Sequence, residues 1–120
     1  MTTILVVDDS VSLRNMVVLT LAQQGYNVVE ASDGQEALSK AKDVVCDLVL
    51  TDVNMPVMDG IVLCSELRKL PSFKFTPILI LTTESSSEMK QKGRAAGATG
   101  WLVKPFDPDT LLSTLKRVVR

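Results

Sequence analysis

The chain contains no histidine. A histidine general base, a histidine metal ligand and a phosphohistidine on this chain are therefore excluded, and any histidine in its chemistry comes from a partner. Cysteine occurs only twice, as Cys46 and Cys64, and the spacing matches no metal or redox motif. Both read as small core or near-surface thiols of a protein in a reducing cytoplasm. No apolar run reaches the length of a membrane span, and nothing at Met1 resembles a signal peptide. The expected location is cytoplasmic, away from the membrane. An excess of one charge is also lacking: 13 Lys and Arg against 14 Asp and Glu leave a net charge of −1. Such a chain has no global field to attract nucleic acid. Aromatics make up 4% of the residues, with a single tryptophan, Trp101.

What is present is an ordinary globular composition, 46% hydrophobic and 22% charged, in a length of 120 residues that makes one domain. A chain of this size buries roughly two-thirds of its unfolded surface and needs no staple. Its pattern is more telling. Short apolar runs end abruptly in polar residues: Ile4-Leu5-Val6-Val7 in Asp8-Asp9, Leu48-Val49-Leu50 in Thr51-Asp52, Ile78-Leu79-Ile80-Leu81 in Thr82-Thr83, and Trp101-Leu102-Val103 in Lys104-Pro105. Such runs, each followed by a helical stretch, read as buried parallel strands.

Strands are expected near Thr3–Val7, Asn27–Ala31, Asp47–Thr51, Pro77–Leu81 and Gly100–Val103. The first helix runs from about Ser10 to Gln24 with Leu13, Met16, Val17 and Leu21 inward, and Gly25 ends it in a left-handed turn. Asp33-Gly34-Gln35-Glu36 has the form of a capping box that opens the second helix. Asp59-Gly60 opens the third, with Leu63, Cys64, Leu67 and Leu70 on its buried side, and Pro71 and Pro77 bracket the loop that follows. The fourth, from about Ser85 to Ala96, is the weakest, with Gly93 in its interior and Met89 as its main apolar residue. Asp107 caps the fifth, Pro108 suits its first turn, and Leu111, Leu112, Leu115, Val118 and Val119 face inward. Alternating strands and helices imply an α/β fold, a doubly wound five-stranded parallel sheet with helices on both faces. The strand order 2-1-3-4-5 fits; it is taken over from known flavodoxin-like sheets rather than derived.

In an open α/β sheet, chemistry sits outside the carboxyl ends of the strands. Asp8, Asp9, Asp52, Thr82 and Lys104 then share one edge. Each alone has a plainer use, as a helix cap, a turn residue or a solvated lysine. Together they do not. Three carboxylates at one edge repel by up to about 4 kcal/mol per close pair at an intermediate effective dielectric. The cluster makes sense once a cation joins it, and all-oxygen ligands suit Mg²⁺ or, as a substitute, Mn²⁺. A carboxylate can act as nucleophile and form an aspartyl-phosphate, and Asp52 is the central one. The three phosphoryl oxygens need neutralising. The metal serves one, Lys104 another, and the Thr82 hydroxyl with nearby backbone N–H groups the third.

These residues, with Asn54-Met55-Pro56, Met58-Asp59-Gly60 and Lys104-Pro105-Phe106, carry a resemblance. Over its whole length, 1–120, the chain resembles bacterial response-regulator receiver domains, most closely the single-domain chemotaxis (CheY-like) type. The resemblance implies phosphorylation of Asp52 by a histidine kinase or phosphotransfer protein. It implies Mg²⁺ held by Asp9, Asp52 and the backbone carbonyl of Asn54, with Asp8 acting through water. It implies a cis Lys104-Pro105 bond. It makes Asn54 and Glu84 the pair that sets the lifetime of the phosphoryl group. It also makes Thr82 and Trp101 the switch: Thr82 is drawn toward the phosphate, and the aromatic residue turns inward behind it. The family usually carries Tyr or Phe where this chain has Trp101. An indole is larger and needs a partner for its N–H. Its plainer role is a static anchor between the fourth and fifth helices.

The resulting expectation is a monomeric, phosphorylation-dependent switch that docks on a protein target through the fourth helix, fifth strand and fifth helix. In chemotaxis that target is the flagellar motor switch. Such a protein modifies only itself and is not an ordinary enzyme. The alternatives are a phosphorelay shuttle, or a receiver cut from a longer DNA-binding regulator. An FMN-binding flavodoxin would need a phosphate-cradling loop after the first strand, where Asp8-Asp9 would repel phosphate. A dehalogenase-type phosphatase would need an aspartate two residues after its nucleophile, where this chain has Asn54.

Overall fold

The computed structural model describes residues 2–119. Its elements are β1 (Thr3–Val7), α1 (Val11–Gln23), β2 (Asn27–Ala31), α2 (Gly34–Ala41), β3 (Leu48–Thr51), α3 (Gly60–Arg68), a 3₁₀ turn (Pro71–Phe73), β4 (Ile78–Thr82), α4 (Ser87–Ala95), β5 (Gly100–Val103) and α5 (Pro108–Val118). The strands form one five-stranded parallel sheet in the order β2-β1-β3-β4-β5, as expected. Among the described residues no helix is long and apolar enough to cross a membrane.

Alternation along each strand splits the core between the two faces of the sheet. Leu5, Val7 and Val49 pack with Ala37 and Ala41 of α2 and Leu63, Cys64 and Leu67 of α3. Ile4, Val6, Leu48, Leu50, Leu79 and Leu81 pack with Val17 and Leu21 of α1 and Leu111 and Leu115 of α5. Both faces of the central strands are covered, which is why those runs are continuously apolar.

Several boundaries differ from the sequence expectation. Asp47 lies outside β3; its carboxylate accepts the Thr3 N–H at 2.8 Å. β4 begins at Ile78 and runs on to Thr82, which is fully buried. α3 ends at Arg68, so Leu70 lies beyond its last turn and is only half-buried. α4 begins at Ser87, capped by the Ser86 hydroxyl, and ends at Ala95. Met16 faces solvent with 56% exposure. The buried stripe of α1 runs through Val17 and Leu21, four residues apart, and Met16 points about 100° away from Val17 around the axis. At α2 the Asp33 carboxylate accepts the Glu36 N–H, as a cap should. Glu36 reaches back one residue further than a regular box, to the N–H and hydroxyl of Ser32. Gly25 takes a positive φ of 87°, as expected for the turn after α1.

Candidate functional site

Strand register builds the site. Val7 of β1 pairs with Thr51 of β3, so both strands end level and the next residues, Asp8 and Asp52, emerge side by side. The Asp52 N–H donates to the Val7 carbonyl at 3.0 Å, extending the ladder by one rung. Thr82 of β4 pairs with Val103 of β5, and Lys104 follows immediately. β4 stands between β5 and β3, and each strand spacing is about 5 Å, so a long side chain is needed to cross. Lys104 does so. Its Nζ lies 2.8 Å from Oδ2 of Asp8 and 2.9 Å from Oδ2 of Asp52.

Asp8 and Asp52 are buried, and Asp9 is exposed at the rim. One carboxylate oxygen from each of the three lies within 4.8 Å of the others. Asp8 Oδ1 accepts the Ser10 N–H and Asp52 Oδ1 the Val53 N–H. Burial alone would push the Lys104 ammonium down, but its hydrogen bonds and charge attraction to Asp8 and Asp52 outweigh that and hold its pKa above the usual lysine value. The edge is therefore a buried, mutually compensated ion cluster with more acid than base. Its hard oxygen donors at close range fit a small divalent cation.

The remaining predicted residues reach the same edge. Asn54 donates its side-chain N–H to Glu84 Oε1 at 3.2 Å, so the two touch across the mouth. The Thr82 hydroxyl accepts the Glu84 N–H at 3.4 Å, a turn-type bond that occupies it locally. The Lys104-Pro105 peptide is cis, as the resemblance implied. Trp101 is half-buried, and its indole N–H donates to the Glu84 carbonyl at 2.8 Å. Its ring thus meets α4 at Gly93, and its N–H meets the β4–α4 loop.

One supporting residue escaped sequence reading. Arg14 donates to the Asp8 carbonyl at 2.6 Å and pairs with Glu30 at 3.1 Å, fixing the turn that carries Asp8. A basic residue beside the apolar stripe of α1 was the available signal. Gly60 lets α3 start against β3: a Cβ there would stand 1.8 Å from the Asp52 carbonyl oxygen. A hollow of about 660 Å³ opens at the other end of the sheet beside Cys46, Phe75 and Val118 and touches none of the converged residues.

Known proteins share this fold. A solved structure of the Vibrio cholerae chemotaxis protein CheY4 is 56% identical, covering 99% of both chains, with a TM-score of 0.96. The receiver domain of the sensor histidine kinase PA1611 from Pseudomonas aeruginosa is 29% identical over 98% of this chain and 96% of its own, with a TM-score of 0.91. That structure has a magnesium ion coordinated in its active-site cleft. The alkaline phosphatase synthesis transcriptional regulatory protein PhoP of Bacillus subtilis is 40% identical over 117 residues, 98% of this chain and 48% of PhoP. The chain thus spans about half the length of the curated relatives it matches. Residues 4–116 match the response regulator receiver domain, and the chain belongs to that family of two-component signalling domains.

Proposed function

We propose that Asp52 is the phosphoryl acceptor of a chemotaxis-type switch. The observation that carries this is the Lys104 ammonium held between Asp8 and Asp52 at the buried end of β3. The donor is a phosphohistidine on a kinase or phosphotransfer protein, since this chain has no histidine of its own. A carboxylate oxygen of Asp52 attacks the phosphorus, the P–N bond breaks, and the imidazole leaves with the electron pair. Asp9, Asp52 and the Asn54 carbonyl would hold Mg²⁺, with Asp8 assisting through water; the ion neutralises phosphoryl charge when bound. Lys104 exchanges its ion pair with Asp52 for one with a phosphoryl oxygen. Thr82 gives up its bond from Glu84 and turns its hydroxyl to another. Asn54 and Glu84, joined at the mouth, control access of the hydrolytic water and so the lifetime of the acyl phosphate.

The output is binding of a protein target at the face made by α4, β5 and α5. Identity of 56% to CheY4 across nearly the whole of both chains favours a chemotaxis target at the flagellar motor, with the protein acting as a cytoplasmic monomer. A second reading, a receiver working within a longer DNA-binding regulator or a relay, draws on the match to PhoP, a transcriptional regulator of twice the length. The acceptor assignment is tested with acetyl phosphate and Mg²⁺. Intact mass spectrometry should find one added phosphate on wild type and none on Asp52→Asn; equal uptake by both removes Asp52 as the acceptor. The target assignment is tested by binding of a flagellar-switch peptide with and without beryllofluoride. Affinity that does not respond to beryllofluoride favours the second reading.

A further inference from the structure

Glycine is disfavoured inside a helix, yet Gly93 is the buried residue of α4. Its neighbour explains it. A Cβ at position 93 would stand 2.8 Å from Cζ3 and 3.1 Å from Cε3 of Trp101, well inside carbon–carbon contact distance. The six-membered ring of the indole therefore rests on the bare backbone of α4. On its other edge the indole N–H donates to the Glu84 carbonyl. Glu84 in turn holds Asn54 at the mouth of the site and bonds the Thr82 hydroxyl. One ring thus joins α4, β5 and the β4–α4 loop.

We propose that Gly93 and Trp101 form a size-matched clasp that holds the indole inward before any phosphate arrives. Gly93 is a positioning residue for the α4–β5–α5 face, and the switch works by moving the clasped unit together, without rotation of Trp101. The physical reason is that an outward indole would give up its bond to the Glu84 carbonyl and leave an unfilled notch at Gly93. A phenol or phenyl ring at 101 would meet neither constraint in the same way, being shorter by the fused ring.

The test uses the full 120-residue protein. Gly93→Ala should lower the melting temperature, shift indole emission to the red and increase its quenching by acrylamide. In a Trp101→Phe background the same Gly93→Ala change should raise the melting temperature, because alanine is the better helix former once the ring is shorter. Equal rises in both backgrounds with unchanged indole emission would remove the clasp. On wild type, beryllofluoride with Mg²⁺ should leave emission and quenching unchanged; a blue shift with reduced quenching would show the ring moving inward on activation and overturn the inward resting state. That arm rests on Asp52 as acceptor, and a fluorine NMR signal from bound beryllofluoride reports it separately. Without that signal the acceptor reading fails, while the two melting experiments still decide the clasp.

Discussion

Lys104 Nζ lies 2.9 Å from Asp52 Oδ2 although the residues are 52 positions apart, and both side chains are nearly sealed from water. The same ammonium holds Asp8 at 2.8 Å. One buried cation thus compensates two buried anions, with Asp9 adding a third negative charge at the rim. The pair is the hinge of the proposed chemistry because Lys104 already stands where a phosphoryl oxygen on Asp52 would need a counter-charge.

The ion count dictates opposite signs for removing an acid and for removing the base. Asp52→Asn removes a repelling charge and keeps a hydrogen-bond acceptor for Lys104, so it should stabilise the metal-free protein by about 1–2 kcal/mol. Asp8→Ala should act in the same direction. Lys104→Met strands buried carboxylates and should destabilise it by about 3–5 kcal/mol. Urea melts in EDTA read both. Mg²⁺ should stabilise wild type and do so less in Asp52→Asn, as binding linkage requires.

The pH dependence of that bridge follows from its direction. The folded-state pKa of Lys104 is raised above 10.5, so its contribution is complete below that value and is lost only as pH rises through the higher folded value. The stability gap between wild type and Lys104→Met should therefore be as large at pH 9.5 as at about pH 8. Melts across that range check it; a gap that has closed by about pH 9 contradicts the raised value.

The thiols should be inert in the native protein. Both cysteines are free and buried. Burial, with Asp47 adding to it, pushes Cys46 up to about 11. Burial also pushes Cys64 up, against an opposing pull from Arg68. Reaction with a thiol-disulfide reagent at about pH 8 should be negligible until guanidinium exposes both groups.

Val57 sits in the β3–α3 loop at φ 70° with 81% of its surface exposed. A β-branched residue in the left-handed region carries roughly 1–2 kcal/mol of strain. Asn tolerates that region and sacrifices little packing here, so Val57→Asn should stabilise by about 1 kcal/mol. Denaturant midpoints with an unchanged m-value would show this.

Much of this architecture is written locally. The apolar runs and their polar ends located five strands within a residue or so, because a strand buried on both faces has few other ways to read. The converged residues Asp8, Asp9, Asp52, Thr82 and Lys104 were legible for the same reason: each follows or ends an apolar run, and parallel strands bring those ends to one edge. Caps at Asp33, Asp59 and Asp107 are short-range hydrogen bonds and equally visible.

Contacts between elements distant in sequence were not legible. Met16 and Val17 are adjacent apolar residues, and only the seating of α1 against the sheet decided which one was buried. Arg14 meets the Asp8 carbonyl only through the folded β1–α1 turn. Gly93 read as a weakness in α4, because intrinsic helix propensity is a local quantity. The indole of Trp101, arriving from β5, makes that same glycine a fitted surface. The sequence by itself determined the strands, their polar ends and hence the residues of the acidic edge, since hydrophobic periodicity and turn chemistry act over a few neighbours. Only the tertiary structure decided how Lys104 spans two strand spacings to Asp52 and how α4 rests on Trp101, because both depend on register and packing between segments the chain brings together only once it is folded.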